Sequence, residues 1–159
     1  MSTKFFNNRL GNTLFDKLKG IASGMVTFDR FLAVVGFFRS SGYFKLRKEL
    51  GDISEIKILV GINIDDIFRK HNKALLMLAD EDKAKEIYNN GFKEDIVNAQ
   101  YSPEVEEGIL QMCEDLVSGR LQMRIHATRN LHAKFYLCLP QNHSEHSDGW
   151  VIMGSSNIS

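Results

Sequence analysis

An α/β fold, with a mixed and largely parallel central sheet flanked by helices, is the architecture this 159-residue sequence predicts. Three observations point there. Phe31–Phe37 and Ile56–Ile62 are continuous apolar runs of the kind that fill strands buried on both faces. Segments of helical periodicity precede and follow them. The last forty residues then change to short strand patterns.

In chain order, residues 12–23 set Leu14, Phe15, Leu18 and Ile21 at helical spacing, an amphipathic helix. The first apolar run leads into Arg39-Ser-Ser-Gly-Tyr43, read as a polar turn, and Phe44 to Leu50 resumes helical spacing. The second run ends at Asn63 and Asp65, both good helix starters, and the chain to residue 119 reads as mostly helical and acidic. The best-defined helix there has Ser102 as N-cap, Pro103 at its first position and Glu104 in its first turn. Val105, Ile109, Met112, Cys113 and Leu116 are expected to line its inner face, making Cys113 a small core residue, and Gly119 to stop it. Leu121–Ile125 alternates as a strand, Lys134–Leu139 is another and Trp150–Met153 a third. Pro140–Gly149, polar and without periodicity, is a loop.

Composition sets broad limits. Twenty Lys/Arg balance twenty Asp/Glu, and 43% of residues are hydrophobic, which excludes a disordered tail or a supercharged nucleic-acid tail. The neutrality is partitioned: nine basic against three acidic residues in 1–50, seven against fifteen in 51–119, and four against two in 120–159. Basic ends around an acidic middle suit a polyanion on one face, or equally well the ordinary charge of solvated helices. No apolar run approaches the roughly 20 residues needed to span a bilayer, and the first residues lack a secretory apolar stretch. Two cysteines make no disulfide framework, so the expected setting is a reduced cytoplasm. Cys138, His143 and His146 lack a fourth ligand, and no zinc site is read from them. No Walker-type loop or Gly-x-Gly-x-x-Gly occurs, so any ATP-driven motor lies outside this chain.

The chemistry gathers near the end. On a strand, His132 and Lys134 share one face, about 7 Å apart, with Ala133, Phe135 and Leu137 turned to the core. A lysine buried in an apolar sheet needs an anion beside it. Trp150–Met153 runs directly into Gly154-Ser155-Ser156-Asn157, which supplies hydroxyl and amide donors at the strand end, where ligands sit in open α/β sheets. A cation, a titratable ring and neutral donors together suit a phosphate-type oxyanion. Arg39, Ser41 and Gly42, after the first strand, either meet that anion through backbone N–H groups or form an ordinary capped turn. Arg124, His126 and Arg129 either contact nucleic-acid phosphates or belong to solvated surface.

His132-x-Lys134 followed by Gly154-Ser155-x-Asn157 resembles the HxK…GSxN signature of the phospholipase D superfamily. The likeness reaches back to Ala33–Tyr43 and Lys57–Ile62, and is to the domain at the N-terminus of bacterial DEAD/DEAH-box helicases and to metal-independent restriction endonucleases. It implies a single α/β/α sandwich over residues 1–159, expected to be an N-terminal fragment of a longer helicase- or nuclease-type protein, since the chain stops inside the motif. It also implies a phosphodiesterase acting on DNA without metal or cofactor. His132 would be nucleophile, and Lys134, Ser155 and Asn157 would hold the phosphoryl oxygens. Because attack and departure occur on opposite sides of phosphorus, one imidazole cannot do both, and the single HxK implies a homodimer sharing one site. The family's structural acid is displaced: the nearest carboxylate, Asp148, lies six residues before Gly154. A silent phosphate- or DNA-binding dimerisation module is the alternative.

Overall fold

The computed structural model describes residue 9 and residues 11–23, 28–61, 102–126 and 131–158. The helices expected across 63–101 lie outside the described residues. In chain order the elements are α1 (Leu14–Ala22), β1 (Arg30–Val35), α2 (Ser40–Leu50), β2 (Glu55–Gly61), α3 (Pro103–Val117), β3 (Leu121–His126), β4 (Phe135–Leu139) and β5 (Trp150–Met153). No described helix is long and apolar enough to cross a membrane.

The fold is α/β, with a five-stranded mixed sheet in the order β3-β2-β1-β4-β5. The pairs β1–β2 and β2–β3 are parallel, whereas β1–β4 and β4–β5 are antiparallel. The sheet is therefore less parallel than the sequence suggested. The loop joining β4 to β5 has no helix in it and is too short for a crossover, so those strands must reverse direction.

Register puts Leu121, Ile56, Phe31 and Cys138 in one row across the sheet, and Met123, Ile58, Ala33, Tyr136 and Ile152 in the next. This face joins Leu14 and Leu18 of α1, Tyr43, Phe44, Leu46 and Leu50 of α2, and Met112 of α3 in one core. The inward residues of β4 are thus Tyr136 and Cys138, not Ala133, Phe135 and Leu137: Ala133 is exposed and the other two half-buried. Register with β1, invisible in an almost uniformly apolar strand, makes that choice.

Local signals set the helix ends. Thr13 and Asp16 form a reciprocal capping box at α1, and the hydrogen bond from Thr13 holds the Asp16 carboxyl below its ordinary value. Ser102 caps α3 through Val105 N–H, Pro103 sits at its start, and Gly119 follows at φ +77°. Two readings change. α2 begins at Ser40 rather than Phe44, because Ser40, Gly42, Tyr43 and Phe44 are all buried and packing takes in what composition marks as a turn. On α3 the buried residues are Gly108, Met112 and Asp115, while Cys113 and Leu116 are exposed. The helix presses against α2 at Gly108, where a Cβ would meet Phe44 Cγ at 2.5 Å, and that contact turns Asp115 inward.

Asp115 is fully buried and answered on every side. It accepts from Tyr43 Oη at 2.7 Å, Arg47 Nε at 2.8 Å, Arg120 at 2.8 Å and Gln111 at 3.3 Å. Burial opposes its ionisation, but the hydrogen bonds from Tyr43, Arg47 and Arg120 and the charge of Arg47 outweigh it, so the carboxyl lies below its ordinary value. The network ties α2, α3 and the entry to β3 together beneath the sheet.

Candidate functional site

Because β4 runs antiparallel to β1, the residues entering β4 lie beside the carboxyl end of β1. His132 and Lys134 are there, just before β4 rather than within it. His132 is exposed and Lys134 half-buried, so the ammonium keeps part of its hydration and the cost of full burial does not arise. Instead of standing about 7 Å apart as on a regular strand, the two side chains meet. Lys134 Nζ is 3.4 Å from His132 Nδ1 and donates to the His132 carbonyl at 2.9 Å.

The second half of the site arrives from β5. Gly154 N–H donates to the Lys134 carbonyl at 3.2 Å and Arg39 N–H donates to the Ile158 carbonyl at 2.9 Å. Phe38 and Ile158 form a parallel bridge, and Ile158 is fully buried. Residues 154–158 therefore lie along the exit from β1, and Asn157 Oδ1 accepts from Phe37 N–H at 3.1 Å. With its oxygen so occupied, the carboxamide directs its NH2 elsewhere, as a donor.

Gly36 shows how closely these groups converge. A Cβ there would lie 3.0 Å from the Leu131 carbonyl oxygen, 3.4 Å from Lys134 Nζ and 3.7 Å from Asn157 Oδ1. At Gly61, the end of β2, a Cβ would stand 2.5 Å from that same Leu131 oxygen. Glycines closing the two apolar runs thus let residue 131 pass close over the strand ends and deliver His132 and Lys134. Their position at the end of each run was a legible signal.

The remaining candidates divide. Ser155 is exposed immediately after Gly154, at the rim. Arg39 is the N-cap of α2, with its guanidinium carbon 4.9 Å from the centre of the Phe37 ring, beside the Asn157 contact. Ser41 and Gly42 belong to the first turn of α2 rather than to a loop; Ser41 is exposed and Gly42 buried. Arg124 and His126 lie on β3, beyond β2 from the site, and Arg129 is outside the described residues. Asp148 does not join: it is exposed at the amino end of β5, while the motif follows the carboxyl end, roughly 13 Å away along four residues of strand. The Cys138 thiol points into the core and burial pushes its pKa up to about 12, whereas His143 and His146 sit in the exposed loop. Among the described residues no carboxylate bonds to His132.

One ammonium, one imidazole and one oriented carboxamide around the end of β1 form a set of donors suited to an oxyanion, with a ring able to carry a proton or attack. No protein-family model matches this chain, and no curated protein matches it.

Proposed function

We propose that this chain is a phospholipase D-like domain, an α/β/α sandwich whose site cleaves phosphodiesters of DNA. The observation that carries the reading is the contact of Lys134 with His132 together with the approach of Lys134 and Asn157 to Gly36, since the two halves of the motif are separated by two strands and a loop. In this reading a ring nitrogen of His132 attacks phosphorus, forming a P–N bond as the P–O bond to the leaving alkoxide breaks. The imidazole of His132 in a second copy of the chain protonates that oxygen, then takes a proton from water as the water cleaves the P–N bond. Lys134 and Asn157, with Ser155 at the rim, stabilise charge on the non-bridging oxygens. Helicase sequences in the same full-length protein, and a cytoplasmic setting, complete the proposal.

One observation favours the alternative of a silent phosphate- and DNA-binding dimerisation module: no described carboxylate orients the His132 ring, and Asp148 is at the other end of β5. Labelled single- and double-stranded DNA incubated with the protein in EDTA separates the two. Cleavage that disappears in His132→Ala supports the phosphodiesterase. Binding that depends on Lys134 without cleavage supports the silent module. Cleavage that survives His132→Ala removes the imidazole from the mechanism.

A further inference from the structure

Tyr136 stands two residues after Lys134 on β4 and is 1% exposed. Its ring lies against Phe31, with centroids 6.2 Å apart, and its hydroxyl donates to the Ser156 carbonyl at 2.5 Å. Burial raises its pKa, so the hydroxyl stays a donor throughout the ordinary pH range. Ser156 is the residue between the two motif side chains, Ser155 and Asn157. The segment is held at its ends by backbone bonds, Gly154 to Lys134 and Ile158 to Arg39. Between those anchors, rotation of the 156–157 peptide would swing the Asn157 carboxamide off Phe37 N–H.

Resting on the phosphate-site reading above, we infer that Tyr136 is a positioning residue: its buried hydroxyl fixes the Ser156 carbonyl and thereby the Asn157 carboxamide, oxygen toward Phe37 and NH2 toward the bound phosphoryl group. One strand then sets both arms, since Lys134 leads into β4 and Tyr136 lies on it. A phenylalanine fills the same space against Phe31, so Tyr136→Phe removes the hydrogen bond and leaves the core packing.

The test is amide hydrogen exchange by NMR on the full chain, wild type against Tyr136→Phe, with thermal unfolding and DNA cleavage in parallel. Exchange at Phe37 N–H should quicken roughly 3- to 10-fold, the weight of one hydrogen bond, with Val34 and Leu137 unchanged and Tm lower by a few degrees at most. In a cleaving protein kcat should fall by a similar factor with KM nearly constant. Unchanged exchange at Phe37 overturns the inference, and so does a uniform rise across β1, β4 and β5, which marks a merely structural role. Failure of the wild type to cleave DNA or bind inorganic phosphate would sink the functional reading instead, and leaves the exchange result to decide Tyr136.

Discussion

Replacing Asp115 is the sharpest probe of how the helix layer is held. Its carboxylate is fully buried, and the Arg47 side chain that it meets is only 10% exposed. Asp115→Ala strands that guanidinium and the Tyr43 hydroxyl, which is itself buried. Removing one partner of a buried ion pair costs about 3–5 kcal/mol. Arg120, 36% exposed, recovers its hydration and adds at most about 1 kcal/mol. We expect a loss near 4 kcal/mol in total, a large share of the roughly 5–15 kcal/mol typical of a domain, and a fall in Tm on the order of 10 °C. Asp115→Asn keeps an acceptor for Tyr43 and should lose less. The sign with pH follows from the lowered pKa of Asp115. Its contribution is whole above the ordinary carboxylate value, about 3.9, and is lost as pH falls through the folded value. The stability gap between wild type and Asp115→Asn should therefore be widest near neutrality and close as pH falls below the ordinary carboxylate value and through the lowered one. Urea unfolding followed by circular dichroism at several pH values reads both effects. A loss for Asp115→Ala under about 1 kcal/mol would refute the claim that this carboxylate holds α2 and α3 together.

Gly36→Ala introduces a methyl 3.4 Å from Lys134 Nζ and 3.0 Å from the Leu131 carbonyl. The tight contact is with the Leu131 backbone, which must give by a few tenths of an ångström and carry His132 with it, so calorimetric titration with inorganic phosphate should show affinity lowered about tenfold and Tm should fall by a few degrees; undiminished binding would place the anion elsewhere. Gly108→Ala sets helix propensity, a gain of about 1 kcal/mol, against a Cβ 2.5–2.8 Å from three Phe44 atoms. Overpacking should win, with a net loss of about 1–2 kcal/mol in chemical denaturation. An aromatic disulfide reagent should titrate one thiol quickly in the native protein, the exposed Cys113, and the second, Cys138, only on unfolding. Two fast equivalents would contradict the burial of β4.

Local chemistry was legible wherever it was self-contained. Ser102-Pro103 and Gly119 bracket α3 because capping uses groups within a few residues of one another. The apolar runs marked β1 and β2, and the polar stretch 140–149 marked a loop. The motif residues were legible by type and order. That Asp115 faces inward was not, because two of its partners, Tyr43 and Arg47, come from α2, over sixty residues away. Cys113 and Leu116 face outward, against the expectation from spacing, for the same reason: helical spacing defines a stripe, and only the neighbour touching it, here Phe44 against Gly108, decides which side is buried.

The amino-acid order alone thus determined the class of fold, the main strands and helix caps, and a set of side chains chemically suited to an oxyanion. Tertiary structure decided the direction of β4, the face of it that is buried, the contact of Lys134 with His132, and the approach of Lys134 and Asn157 to Gly36. The division has one physical cause. Propensity and capping act over a turn or two of chain, whereas strand register, burial of a charge and convergence on a glycine depend on partners that sequence distance conceals.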